Sequence, residues 1–382
     1  MTDAILLHLT ESSPEPLRSQ IARQLRDRIL SGDLPEGCEL PPAHRLARGH
    51  RVGPRVVQQA LAALAAEGLL ARDGGAVRVA TVSAEQRRAL AQRRLLDDLR
   101  QQELSLRELE LARDIQRRLL PPARVDCHGL TVTSRWLPAR FVAGDFYDVV
   151  RHPDGGVGVV VADVAGKGIG ASVIMASVKA MAPFIAAELG VADTLRELNR
   201  RLCGELGKGQ FVALAYARFS AGAATVELAN AGMPDPFVVQ DDGRPVPLEV
   251  PGPRLPLGIR AGVPYVSVTR PLAERARLLL FSDGMAEARR PSGEPLGYEG
   301  LAALVAAVAG SGRLGGAGEW LDAVLDEVQR LAGPALDDDW TAVVVERRGG
   351  QEMLRSAAGG DAGGGEEMPR PAAGGDAGGG EA

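Results

Sequence analysis

The chain has 382 residues, 45% of them hydrophobic and 24% charged, with a net charge of −5 at neutral pH. Two or three domains fit that length, each able to bury a core, and the composition is that of an ordinary soluble globular protein. No window reaches the roughly 18 consecutive apolar residues of a membrane helix, and no basic segment followed by an apolar core marks an export signal at the start. Cys38, Cys127 and Cys203 are odd in number and far apart. They suggest neither a disulfide framework nor a zinc site, and fit a reducing cytoplasm.

Residues 1–80 read as helical with a short β-like end. Leu17, Ile21, Leu25 and Ile29 recur at helical spacing, and SGDLPEG stops that helix. Pro41 and Pro42 open a second helix holding Leu46. Val56, Val57, Leu61 and Leu64 stripe a third, which ends at Gly68. A hairpin, LLARDGGAVRVA, turns at Asp73-Gly74-Gly75. Three helices and a hairpin make a winged helix-turn-helix. The phrases SGDLPEGCELPP and QALAALAAEGLL resemble the GntR family of bacterial DNA-binding domains over about residues 14–80. Leu40–Ala66 contains no acid, and Arg45, Arg48, Arg51 and Arg55 all fall there. They lie in and before the expected recognition helix, where phosphate and base contacts form. Gly53 and Pro54 depart from the family's hydroxyl residue followed by arginine, and the wing is short. A helical dimerisation or sensing module, with the arginines as a solvated face, is the other reading.

Residues 83–120 are charged and helical. Leu99, Leu106, Leu109, Ala112, Ile115 and Leu119 make one broad apolar face, and Pro121 and Pro122 end it. The expectation is a coiled-coil-like linker joining two protomers into a homodimer, or else a helix packed on the next domain.

Residues 125–348 alternate strand runs, glycine turns and alanine-rich helices. Four acidic motifs stand out: AGDFYDVV (Asp145, Asp148), VVVADVAGKGIGAS (Asp163), LLLFSDGMAEAR (Asp283) and LDDDWTAVVV (Asp337, Asp338, Asp339). Each places acids beside a β-type run, which aims them into a cleft. Converging carboxylates repel one another and hold protons unless cations neutralise them. Hard divalent ions with oxygen ligands are the natural remedy. The glycine run after Asp163 admits a dinucleotide, a phosphate or a metal ion. A P-loop is excluded because Gly-x-x-x-x-Gly-Lys-Ser/Thr is absent, and for a dinucleotide fingerprint the third glycine is one residue early. A lone Asp-Gly such as that of SDG reads by default as a turn. PDGG at 153–156 reads as a hairpin turn. Val173, Ile174 and Val178 are expected to be buried in the helix after Gly170. His128 and His152 read as surface loop residues, and Trp136 and Trp340 as core.

In order, ELELARDIQRRLLPP, PARFVAGDFYD, ADVAGKGIGAS, NAGMPDPF, PLGI, SDGMAEA and DDDWTAVVV resemble the PPM metal-dependent protein phosphatases of the SpoIIE/RsbU branch, from about Leu109 to Arg348. That resemblance implies an α+β fold, a PPM-type β-sandwich flanked by helices. It implies two Mn²⁺ or Mg²⁺ ions. Asp163 would bridge both, Asp145 and the Val164 carbonyl would hold one, and Asp283 and Asp338 the other. Asp339 could replace Asp338. Asp148 and Asp337 stand outside that set. Arg140 would clamp a phosphate. Lys167 and Met233 stand where the family commonly has histidine. The implied reaction is attack of a metal-activated water on phosphoserine or phosphothreonine of a signalling phosphoprotein, for which an anti-sigma-factor antagonist is the leading guess.

From Gly349 to Ala382 the chain is low-complexity, AAGGDAGGGE occurring at 357–366 and again at 372–381, and is expected to be a disordered tail. The whole reads as a winged helix (1–80), a linker (83–120) and a phosphatase (125–348), with no membrane partner. Two rivals remain: a GntR-like transcription regulator whose phosphatase-like part serves as sensor or dimerisation body, and a nucleotide-dependent enzyme.

Overall fold

Apolar residues at helical spacing build the first unit. α1 (Leu17–Ser31) ends where Gly32 turns left-handed at φ 91°. β1 (Glu39–Leu40), α2 (Ala43–Gly49) and α3 (Pro54–Ala66) follow, then the hairpin β2 (Leu70–Asp73) and β3 (Ala76–Val79). Ile21, Leu25, Ile29, Leu46, Val57, Leu61 and Leu64 share one core. The hairpin pairs Asp73 with Ala76. β1 adds to it antiparallel, giving the order β1-β3-β2. A two-residue strand carries no alternation, so β1 was not legible in the sequence. The computed structural model describes residues 6–10, 15–73, 75–240, 242–311, 315–333 and 336–348; the tail expected to be disordered lies outside the described residues.

α4 (Ala84–Leu119) is one continuous helix. The chain divides into two units, Met1–Leu106 and Arg107–Ala382, at a point inside it. The apolar face expected on α4 is only partly used. Leu99, Leu106, Ile115 and Leu119 are exposed, while Leu109, Ala112, Arg113 and Leu120 are half-buried and Gln116 is buried. The inward phase runs 109, 112–113, 116, 120, one residue out of step with Ile115 and Leu119.

The second unit is a two-layer sandwich. Its strands are β4 (Arg124–Cys127), β5 (Leu130–Leu137), β6 (Phe146–Arg151) and β7 (Val157–Val164), then, after α5 (Ile169–Glu188) and α6 (Val191–Leu202), β8 (Val212–Phe219) and β9 (Thr225–Ala231). β10 (Phe237–Val239), β11 (Pro245–Pro247), β12 (Val268–Pro271) and β13 (Arg277–Phe281) follow. α7 (Asp283–Glu287), α8 (Gly297–Gly310) and α9 (Ala317–Ala332) precede β14 (Trp340–Arg347). One sheet has the order β11-β10-β13-β14-β5-β4, the other β12-β9-β8-β7-β6.

Period-two alternation explains why the strands look apolar throughout. On β7, Val157, Val159 and Val161 enter the core between the sheets. Val160, Ala162 and Val164 face the other way, onto α5 and α6. On β13 and β14, Leu278, Leu280, Val343 and Val345 face between the sheets; Leu279, Phe281, Ala342 and Val344 meet α7–α9.

Two expectations fail here. Val173 is 60% exposed: Ala171, Met175, Val178, Ala182 and Ile185 form the buried stripe of α5, and Val173 falls between its turns. His152 is buried rather than superficial, its Nε2 2.8 Å from the Tyr216 hydroxyl. PDGG does form the β6–β7 turn, closed by the His152 N–H donating to the Gly156 carbonyl. α5 is long and apolar enough to cross a membrane by length and composition alone. Its inner face packs on the sheet and its Lys179 pairs with Asp148 at 2.7 Å.

Candidate active site

Strand parity selects which acids meet. Asp163 continues the Val157–Val159–Val161 series, so it emerges between the sheets at the end of β7. Asp145 shares the phase of Tyr147, which faces between the sheets. Asp148 shares the phase of Phe146 and Val150, which face α5. Asp339, one residue before β14, lies in phase with Thr341, Val343 and Val345. Three strand ends thus deliver acids to one edge of the sandwich. Asp283 joins them by another device. SDG is a helix start rather than a turn, with Ser282 as the N-cap residue of α7. Gly284 is required there because a Cβ would collide with the Asp339 carbonyl.

Mutual repulsion registers the convergence. Asp145 is 2% exposed. Burial first, and then the Asp163 charge, hold its carboxyl well above the usual range, while a Ser282 hydrogen bond opposes them. Its Oδ2 is buried with no hydrogen-bond partner. Asp163 is raised by burial, pulled down by its hydrogen bond with Asp145, and pushed up by Asp338 and Asp339. Both carboxyls are thus raised, with burial the leading cause for each. Asp283 is pushed up to about 6 by desolvation first, then by Asp163, Glu287 and Asp338, although the residue as a whole is exposed. Asp339 is raised by burial against two backbone donors, the Ala139 N–H at 2.7 Å and the Gly144 N–H at 3.0 Å.

Those two bonds give Asp339 a structural task. Its oxygens hold the 138–145 loop, which delivers Asp145 and carries Arg140. Gly144 is part of the same fit, since a Cβ there would come 2.7 Å from the Val164 carbonyl oxygen and 3.5 Å from Asp163 Oδ1. The buried Val164 carbonyl is therefore beside the Gly144–Asp145 backbone. Arg140 is exposed and, among the described residues, has no ion-pair partner.

Asp338 is turned to Lys167, whose Nζ is 2.8 Å from its Oδ2 and also donates to the Asp337 carbonyl at 2.7 Å. Among the described residues no three His, Cys, Asp or Glu side chains converge closely enough to cage an ion. The donor chemistry suits hard divalent cations, and Asp145 Oδ2 is an orphaned oxygen of the right kind.

Gln116 and Trp136 support the loop; Gln116 was not singled out in the sequence, and Trp136 was read only as core. Gln116 brackets the Ala143 peptide: its amide donates to the carbonyl at 2.7 Å and accepts from the N–H at 3.0 Å. Trp136 Nε1 donates to the Asp145 carbonyl at 3.0 Å. The signal for Gln116 was its i+4 spacing from Ala112, a polar residue on the inward phase. In the first unit, Arg45 and Arg48 on α2, Arg51 in the turn and Arg55 at the start of α3 are all exposed. Among the described residues none of the four has an ion-pair partner.

Comparison with known proteins places both units in known families. The family model "Stage II sporulation protein E (SpoIIE)" matches residues 153–348, and "Bacterial regulatory proteins, gntR family" matches residues 17–79. RsbU of Bacillus subtilis, named a phosphoserine phosphatase, is 29% identical over 243 residues, covering 63% of this chain and 70% of that protein. The SiaA-PP2C domain of Pseudomonas aeruginosa superposes with a TM-score of 0.54 at 22% identity, over 65% of this chain and 98% of that one. The RsbU and RsbW domains of Rv1364c from Mycobacterium tuberculosis give 0.51 at 23% identity, over 59% of this chain and 62% of that one. The fold is that of the PPM class of serine/threonine protein phosphatases. Within that class the chain belongs to the SpoIIE family, whose model spans just over half of it and includes Asp163, Asp283 and Asp338. Asp145 and Arg140 precede the matched span, so their place at the edge is read from the loop geometry.

Proposed function

We propose that the chain hydrolyses phosphoserine or phosphothreonine on a signalling phosphoprotein, using two Mn²⁺ or Mg²⁺ ions. Asp163 would touch both ions, Asp145 and the Val164 carbonyl one, Asp283 and Asp338 the other. The observation that carries this is the buried Asp145 Oδ2, without a hydrogen-bond partner among the described residues, beside carboxylates whose charges raise one another's pKa. When bound, such ions lower the pKa of a water and offset charge on the phosphoryl oxygens. The chain's own part is positional. Asp339 and Gln116 fix the 138–145 loop, and Arg140 on that loop is free to take two phosphoryl oxygens.

RsbU's name as a phosphoserine phosphatase supports a protein phosphomonoester substrate, and an anti-sigma-factor antagonist fits that class. The first unit is assigned to DNA, on the strength of four exposed arginines on α2, in the following turn and at the start of α3, none of which has an ion-pair partner among the described residues. The exposed leucines of α4 fit a homodimer that links DNA or ligand state to the phosphatase, and the setting is cytoplasmic.

The test is Mn²⁺-stimulated hydrolysis of an aryl phosphate. Asp163→Ala lowers turnover at least about a hundredfold and leaves the circular dichroism spectrum intact. Undiminished turnover overturns the ligand assignment. A wild-type protein that shifts operator DNA but shows no Mn²⁺-dependent turnover favours the regulator whose phosphatase-like unit only senses.

A further inference from the structure

Lys167 stands in the turn between β7 and α5, flanked by Gly166 at φ 104° and Gly168 at φ 81°. Side chains rarely adopt those backbone angles, so the turn is built around two glycines with one long cation between them. Its Nζ reaches across to the segment before β14, donating to the Asp337 carbonyl at 2.7 Å and meeting Asp338 Oδ2 at 2.8 Å. The other Asp338 oxygen accepts the Asp339 N–H at 2.9 Å. Both oxygens of Asp338 are thus engaged, one by backbone and one by an ammonium.

We infer that Lys167 is a tethered counter-cation of the acid cluster, which competes with a divalent ion for Asp338 Oδ2. The inference rests on the metal reading above and concerns what that reading leaves open, namely how the ion served by Asp338 gains its ligand. The pair is suited to exchange. Each side chain keeps 39% of its surface in solvent, and half-exposed ion pairs contribute only about 0–1 kcal/mol. The contrast is Lys179 with Asp148, whose side chains are 11% and 10% exposed, a pair too buried to open readily. An ion reaching Asp338 must displace the ammonium and then share the pocket with it, a repulsion that weakens that site without touching its ligands. Lys167 therefore makes metal loading unequal: one ion enters freely, and the other binds only as the lysine swings out.

The experiment is Mn²⁺ binding to the metal-free full chain, followed by the electron paramagnetic resonance signal of free Mn²⁺. Lys167→Met tightens the weaker class of sites by about tenfold, and Lys167→Arg, which keeps the charge, stays within about twofold of wild type. In an Asp338→Asn background the Lys167→Met change no longer tightens anything. A Lys167→Met isotherm that superposes on wild type, or is weaker, overturns the inference. So does a raised KM for phosphopeptide with unchanged Mn²⁺ affinity, which makes Lys167 a phosphate contact. Absence of Mn²⁺ binding by wild type overturns the metal reading and this inference together. Unchanged binding by Lys167→Met overturns this inference alone. A thermal melt of each variant without metal confirms that folded proteins are being compared.

Discussion

Asp145 and Asp148 stand three residues apart at the start of one strand and meet opposite environments. Asp148 faces α5, where Lys179 satisfies one oxygen at 2.7 Å and the Val149 N–H the other at 2.9 Å. Asp145 faces the edge between the sheets, where its neighbours are other acids and one oxygen has no partner. Both are buried. The first carboxylate is placed for stability, the second at stability's expense, and strand parity alone separates them. Buried polar groups left unsatisfied cost free energy and persist where function uses them.

Breaking the helix side has the largest expected effect. Lys179→Met leaves a buried, unpaired Asp148 and lowers unfolding free energy by about 3 kcal/mol, read from urea melts of the metal-free protein. Asp148→Asn in the same background restores part of that loss, because the stranded charge is gone. At the sandwich edge the sign reverses. Asp145→Asn removes a repelling charge and supplies an amide donor to Asp163, so the metal-free protein gains about 1 kcal/mol while losing Mn²⁺-stimulated turnover. A destabilised Asp145→Asn protein would show that Asp145 is as well paired as Asp148, and the contrast would fall.

Much of this layout was legible in the sequence, and the failures share a cause. VGVVVADV reads as a strand because both its faces are buried, and the ordered acid motifs point to one chemistry through family likeness. The period-two rule already separates Asp145 from Asp148. What the motifs do not carry is partnership across the fold. His152 looks like a loop residue until Tyr216, 64 positions away, covers it. Val173 looks like core because the whole of α5 is apolar, leaving its phase undetermined. The α4 stripe misled for a similar reason: leucines occur on several faces, and the inward phase is marked by Gln116, a polar residue. Lys167 was noted only for standing where the family has histidine, and Lys179 drew no notice, yet each contacts one of the two acid regions.

Gln116 offers a smaller, sharper test, since it ties α4 to the loop behind Asp145. Gln116→Ala leaves both polar atoms of the buried Ala143 peptide unsatisfied and costs about 1–2 kcal/mol. If the loop's position matters for ion binding, Mn²⁺ affinity also falls, by about tenfold. Gln116→Glu retains the acceptor for the Ala143 N–H but sets a carboxylate against the Ala143 carbonyl, so it rescues less than half of either loss. A stability change with no change in Mn²⁺ affinity would assign Gln116 to the fold alone.

The subtlest effect is in pH, and its sign follows from the direction of the shifts. Asp283 titrates near 6 when folded against an ordinary 3.8. The folded state therefore binds its proton more tightly than the unfolded chain does. The stability this contributes is fully present below about pH 4 and is lost as pH rises through 6. Asp145, Asp163 and Asp339 are raised as well and act in the same sense. His152 acts oppositely: burial lowers its pKa, so protonation in acid opposes folding. Comparing wild type with Asp283→Asn cancels the histidine and isolates the acid edge. Without metal, the melting temperature of wild type relative to Asp283→Asn falls between pH 5 and pH 7, whereas apparent Mn²⁺ affinity rises over the same range as protons give way to ions. A difference that stays flat with pH would mean that Asp283 is as relaxed as a surface acid, and that the acid edge is not under the electrostatic tension that distinguishes it from the helix side.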